Sequence, residues 1–132
     1  MKQHYCLMLI DDNKIDNFFH QRVINNYNPE ITIIIKESGE EALNYFNNAT
    51  DLLPDVIFLD INMPGMDGWE FLQHYKNLNC VTKPCIVVIM ANAIAVCKEA
   101  VASLPDHINY HVCEKPINKE YLEKILSSPH TS

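Results

Sequence analysis

Positive charge is scarce in this sequence. Ten Lys and Arg stand against seventeen Asp and Glu, a formal net charge of −7. Non-specific nucleic-acid binding depends on basic groups that displace counterions, and anionic membrane surfaces attract basic ones. Both are excluded. The aromatic residues do not interleave with basic ones, so no stacking surface for single strands is present. Long hydrophobic runs are missing too. No segment approaches the roughly 20 apolar residues of a spanning helix. The amino terminus, MKQHYCLMLIDDN, has one Lys and a short run at residues 5–10 before two acids. That is too short for a secretory signal, and the expected location is the cytoplasm. Cysteine offers no framework. Cys6, Cys80, Cys85, Cys97 and Cys113 make an odd count with no C-x-x-C. Cys6, Cys85 and Cys113 lie in or beside apolar runs and read as reduced core thiols. Cys80 and Cys85 lack the second pair that a zinc site needs. Repeats, linkers and low-complexity tracts are absent.

What is present fits one globular domain. The 132 residues are 48% apolar and 20% charged, enough for a single core without staples. Five short apolar runs occupy residues 5–10, 31–35, 56–59, 86–90 and 110–113. The second, third and fourth are nearly continuous in Ile, Val and other apolar residues, as in strands covered on both faces. Amphipathic stretches lie between them. Their stripes are Ile15, Phe18, Phe19 and Val23; then Ala42, Leu43 and Phe46; then Phe71, Leu72 and Tyr75. Val96, Cys97, Ala100, Val101 and Leu104 follow, and Tyr121, Leu122, Ile125 and Leu126 close the series. Ser38 with Glu41, and Asp67 with Glu70, have capping-box spacing, and Asn118 is placed to cap the last helix. Strand and helix therefore alternate five times. Such a pattern predicts an α/β fold, a doubly wound five-stranded parallel sheet with helices on both faces. The domain is expected over residues 1–126, with a short fraying tail at 127–132.

In a parallel α/β sheet the carboxyl ends of all strands share one edge, where ligands bind. Asp11 and Asp12 end the first run and Asp60 ends the third, while Lys115 follows the fifth. A lone Asp at a strand end is an ordinary solvated loop residue. Three acids and a Lys at matching ends form a cluster that raises a pKa or recruits a cation. One Lys cannot balance three carboxylates. A hard divalent ion can, and Mg²⁺ suits few carboxylates with water and phosphate oxygens.

Three segments, LMLIDDN, PDVIFLDINMPGMDGWEFL and EKPI, resemble in order and strand position the signature regions of receiver domains from two-component response regulators. The resemblance runs from Tyr5 to Leu126. It implies a flavodoxin-like sheet of order 2-1-3-4-5 and a stand-alone receiver of the chemotaxis type. It implies Asp60 as phosphoacceptor, attacking a phosphohistidine of a histidine kinase or histidine phosphotransfer protein. Asp12 would bind Mg²⁺ directly and Asp11 through water. Asn62 would offer its main-chain carbonyl, and Lys115 would hold a phosphoryl oxygen. The protein would be a stoichiometric acceptor rather than an enzyme, switching the binding of a downstream protein. Gly65 and Gly68 would give the turn after Asp60 its backbone freedom.

One departure stands out. The family carries Ser or Thr at the end of the fourth strand, and here no Ser or Thr occurs between Thr82 and Ser103. Ile89, Met90 or Ala91 occupies that place, and Ala91 is favoured as next after the last strand-like residue. The Asn92 amide is a candidate substitute donor. Counting three residues back from Lys115, the family's aromatic position falls on Val112, with Tyr110 and His111 close by. Two other functions follow from these features. A degenerate receiver would bind partners without phosphorylation. A Mg²⁺-dependent phosphohydrolase of the haloacid-dehalogenase type would need a second Asp where Asn62 stands. The remaining candidates read plainly. His20 and His74 are expected to be exposed on helices, His107 and His111 to lie in a loop and a strand edge, and Trp69 to pack or partly cover.

Overall fold

A computed structural model describes residues 5–48, 53–78, 86–91 and 109–127. Their elements are β1 (Cys6–Ile10), α1 (Lys14–Tyr27), β2 (Thr32–Lys36), α2 (Gly39–Asn48), β3 (Val56–Asp60), α3 (Gly68–Tyr75), β4 (Ile86–Ala91), β5 (Asn109–Glu114) and α4 (Lys119–Ser127). Every strand lies within one residue, at either end, of an apolar run in the sequence. The helix expected at 96–104 falls outside the described residues, as do Cys80, Cys85, Cys97, Asn92 and His107.

The five strands form one sheet in the order β2-β1-β3-β4-β5, every pair parallel. Alternation along the strands sends side chains to two cores. Met8, Ile10, Ile57, Leu59, Val87, Ile89 and Ala91 meet Ala42 and Phe46 of α2 and Phe71 and Leu72 of α3. Leu7, Leu9, Val56, Phe58, Val88 and Met90 meet Ile24 of α1 and Leu122, Ile125 and Leu126 of α4. β1, β3 and β4 are buried throughout, and each large aliphatic side chain taken from water contributes roughly 1.5–3 kcal/mol. Phe46, Phe71 and Tyr75 add ring contacts where α2 meets α3.

β2 is an edge strand whose Ile residues are only half-buried, and both of its faces pack, Ile34 on one core and Ile33 and Ile35 on the other. One sequence expectation needs correction here: the apolar stripe of α1 does not face the core. Ile15, Phe18 and Phe19 are exposed, at 78%, 60% and 47%, and only Val23 of that stripe packs on the core. The buried face is Asn17, His20 and Ile24. Periodicity identified the helix; polar contacts described below chose its face.

The helix starts are fixed locally. Asn13 caps α1 by accepting from the N–H groups of Ile15 and Asp16. Ser38 Oγ accepts from Glu41 N–H, and the Glu41 carboxylate reaches back to Glu37 N–H rather than to Ser38. Asp67 and Glu70 make both bonds of a capping box. Asn118 Oδ1 accepts from Tyr121 N–H at 2.8 Å.

The turn after β3 uses two glycines for different reasons. Gly65 has φ +73°, where an L side chain is disfavoured. Gly68 opens α3 directly against the end of β3. A Cβ there would lie 2.8 Å from the Asp60 carbonyl oxygen and 2.9 Å from Ile61 Cα. Gly68 thus lets α3 sit on the backbone that carries Asp60.

Candidate acidic site at the carboxyl edge

The strand ends bring together residues that are far apart in sequence. Asp11 follows β1, with its N–H still bonded to Lys36 O. Asp60 is the last residue of β3. Lys115 follows β5, and its N–H donates to Ala91 O at 2.9 Å. Asp11 and Asp60 are buried and Asp12 is exposed. One carboxylate oxygen from each of Asp11, Asp12 and Asp60 lies within 4.8 Å of the others.

Hydrogen bonds fix two of these carboxylates and the ammonium. Asp11 Oδ1 accepts from Asn13 N–H at 2.9 Å, and its Oδ2 accepts from Lys115 Nζ at 2.9 Å. Asp60 Oδ1 accepts from Asn62 N–H at 3.3 Å and lies 3.4 Å from Lys115 Nζ. Lys115 also donates to Asp16 Oδ2 at 2.9 Å. Sequence reading missed Asp16. Its signal was its spacing: four residues past Asp12, in the first turn of a helix that leaves the acid edge.

The electrostatics show an excess of negative charge. Burial, then the Asp11 charge, push the Asp60 carboxyl up to about 6, against the relief given by Lys115 and by Asn62 N–H. Burial works to lower the Lys115 ammonium. Its hydrogen bonds to Asp16 and Asp11, with the charges of Asp11 and Asp60, outweigh that and raise it. Among the described residues the single ammonium at these carboxylates is closest to Asp11 and Asp16, so Asp60 remains under-neutralised. An all-oxygen donor set with surplus negative charge fits a hard divalent cation. The acidic triad thus forms a pocket suited to metal.

The register decides what lies beside Asp60. Asp60 pairs with Met90, and Ala91 pairs with Glu114. Met90 shares the α1/α4 face with Phe58, hence with Asp60, while Ala91 packs on the opposite face. Met90 and not Ala91 is therefore the β4 neighbour of Asp60, and it is fully buried. Ala91 contributes through its carbonyl to Lys115. Val112 and Tyr110 are partly buried against the α2/α3 side, and His111 is exposed. Trp69 packs partly buried on the same side, and His74 is exposed. His20, expected at the surface, is 2% exposed.

Residues 7–127 match the response regulator receiver domain. The chain belongs to that family. A two-component response regulator from Cytophaga hutchinsonii is similar over 96% of both chains, at 29% identity and a TM-score of 0.81. Protein-glutamate methylesterase/protein-glutamine glutaminase of Caldanaerobacter subterraneus is 35% identical over 92 residues, 70% of this chain and 23% of that protein. The two-component response regulator ARR5 of Arabidopsis thaliana is 27% identical over 97 residues, 67% of this chain and 52% of that protein. The chain thus spans about a quarter to a half of these two curated relatives. As a receiver domain it carries, in Asp11, Asp12 and Asp60, an acidic triad typical of a phosphoacceptor site. Among the described residues no helix is long and apolar enough to cross a membrane.

Proposed function

We propose that this receiver domain accepts a phosphoryl group on Asp60 from a phosphohistidine of a histidine kinase or histidine phosphotransfer protein, and that the modification switches its binding to a downstream protein. The observation that carries this reading is the position of Asp60. A fully buried strand ends on its carboxylate, among two other acids and 3.4 Å from Lys115 Nζ.

In the reaction an Asp60 carboxylate oxygen attacks phosphorus as the P–N bond to the donor imidazole breaks. The imidazole leaves with that electron pair, and an acyl phosphate remains on Asp60. Phosphoryl transfer asks mainly for in-line positioning and neutralised charge. Asn62 N–H and Lys115 orient the nucleophile, and Lys115 gives its ammonium to an oxygen of the arriving group. Mg²⁺, when bound, would screen the carboxylates from the phosphoryl oxygens. Asp12, Asp60 and the Asn62 carbonyl would hold it. Asp11 would act through water, because both of its oxygens already accept hydrogen bonds. The chain is then a stoichiometric acceptor. A protein donor has a surface to meet beside this edge, because Ile15, Phe18 and Phe19 are exposed on the helix that follows Asp12.

Intact mass after incubation with acetyl phosphate and Mg²⁺ tests the proposal. One added phosphoryl is expected, absent with a chelator and absent in Asp60→Asn. No gain in the wild type would sink it. One observation favours a second reading. Met90, which pairs with Asp60, has no hydroxyl; taken as the place of the family's Ser or Thr, it suits a receiver that binds partners without phosphorylation. Absence of any mass gain supports that alternative.

A further inference from the structure

Two of the three residues on the buried face of α1 are polar. Asn17 is 4% exposed and His20 is 2% exposed. Each ties α1 to one of the loops that form the acidic site. Asn17 Nδ2 donates to the Asp11 carbonyl at 2.8 Å. His20 Nε2 accepts the Ile117 N–H at 3.2 Å, across 97 positions of sequence. Ile117 is itself buried, two residues beyond Lys115 and before the cap of α4. The loop that presents Lys115 is therefore held at Ala91 O on its β4 side and at His20 on its α1 side.

This geometry assigns a tautomer. A ring nitrogen that accepts an N–H carries no proton. The neutral His20 ring then bears its hydrogen on Nδ1. Burial, and next the nearby Lys115 charge, push the ring below its ordinary pKa, against weaker pulls from Asp16 and Asp11. His20 Nδ1 and Asn17 Oδ1 have no hydrogen-bond partner among the described residues. One is a donor and the other an acceptor, a single turn apart on the same face. Apolar side chains at both positions would have removed these partners from the Asp11 carbonyl and the Ile117 N–H, and a buried polar group left without a partner is unfavourable. Their polarity points to a task other than packing.

We infer that His20, as the neutral Nδ1–H tautomer, is a positioning residue for Lys115: its Nε2 fixes the Ile117 main chain and so sets where the Lys115 ammonium stands relative to Asp60. The role rests on the phosphoacceptor reading for its effect on rate, while the placement of Lys115 stands without it. Asn17 is its counterpart for Asp11. Through these two side chains one helix holds both halves of the site in register. His20 bonds the Ile117 main chain and acts through the loop.

The test has three arms. The first is imidazole ¹⁵N NMR of the unphosphorylated full chain. It is expected to show His20 Nδ1 protonated and Nε2 bare at neutral pH. A protonated Nε2, or an imidazolium, overturns the inference. The second compares His20→Leu with His20→Gln, whose side-chain carbonyl can still accept from Ile117 N–H. Displacing a positioned group by an ångström is costly to rate, so His20→Leu should lose roughly tenfold or more in maximal phosphorylation rate by acetyl phosphate, with half-saturation little changed. His20→Gln should recover to within about threefold of wild type. Equal rates for wild type and His20→Leu overturn the inference. The third reads the Lys115 ammonium resonance, which should move in His20→Leu and return in His20→Gln. If the wild type takes no phosphoryl at all, the phosphoacceptor reading has failed, and the first and third arms still judge the role of His20. An unmoved Lys115 resonance overturns that role whether or not Asp60 is phosphorylated.

Discussion

Lys115 Nζ and Asp16 Oδ2 are 2.9 Å apart although 99 positions separate them in the chain. This bond and the equal one to Asp11 hold the one ammonium that the described residues bring to the acidic cluster away from full contact with Asp60, which it approaches to 3.4 Å. The cost falls on Asp60, buried and short of positive charge.

Removing that competitor should relieve Asp60. In Asp16→Asn one acceptor of Lys115 loses its charge, and the ammonium is free to move toward Asp60. The Asp60 carboxyl, pushed up to about 6, should then titrate lower by roughly half a unit to one unit. Carboxyl ¹³C NMR titration without metal measures this, and an unmoved midpoint would refute the competition.

The same carboxyl makes stability depend on pH. The folded pKa of about 6 lies above the ordinary 3.8, so ionisation is less favourable in the folded chain. The benefit of the protonated form is complete below about pH 4 and is lost as pH rises through about 6. Metal-free protein should therefore lose stability across that window, by at most ~3 kcal/mol. Asp60→Asn should flatten this part of the profile and be the more stable protein at pH 8. Added Mg²⁺ should restore wild type at pH 8 and do little for Asp60→Asn. Urea unfolding across the window checks each point.

Gly68 is a matter of space. In Gly68→Ala the new methyl meets the Asp60 carbonyl oxygen at 2.8 Å and Ile61 Cα at 2.9 Å. Both are backbone and cannot swing aside. A loss of roughly 1–3 kcal/mol is expected, together with slower phosphorylation because the Asp60 backbone must shift. At Gly65 nothing stands within 4 Å of a Cβ. Gly65→Ala should cost only the positive-φ strain of about 1 kcal/mol. Denaturant midpoints and acetyl phosphate kinetics separate the two.

The exposed face of α1 should matter to a protein donor and not to a small one. Phe18 is 60% exposed, with the Arg22 guanidinium 5.8 Å from its ring centre. Phe18→Ala should change stability by no more than about 0.5 kcal/mol. Its rate with acetyl phosphate should match wild type. Transfer from a phosphohistidine protein that phosphorylates the wild type should slow about tenfold, as for a lost interface anchor. Equal slowing with both donors would place Phe18 in the site instead.

The legibility of the site followed chemistry more than position. Asp11, Asp12, Asp60 and Lys115 were readable because each stands where an apolar strand run stops, and parallel topology gathers such ends. Asp16 offered only its spacing from Asp12, and the role of His20 was not readable. Nothing in KIDNFFHQRV says which side of the helix turns inward, and its large apolar residues argue for the wrong one. Their pattern gave a stripe of Ile15, Phe18 and Phe19, whereas Asn17, His20 and Ile24 are buried. The β4 neighbour of Asp60 was ambiguous for a similar reason. A shift of one residue along a strand exchanges its faces, and only the pairing with β3 shows that Met90 rather than Ala91 lies there.

The sequence by itself determined the alternation of strands and helices, the caps at Ser38, Asp67 and Asn118, and the acids that end β1 and β3. These depend on local periodicity and on short-range hydrogen bonds, which any segment carries within itself. Tertiary structure alone decided the inward face of α1, the sharing of Lys115 among Asp11, Asp16 and Asp60, and the hold of His20 on the Lys115 loop. Those depend on distances between residues about a hundred positions apart, which exist only once the sheet has assembled and brought its carboxyl ends to one edge.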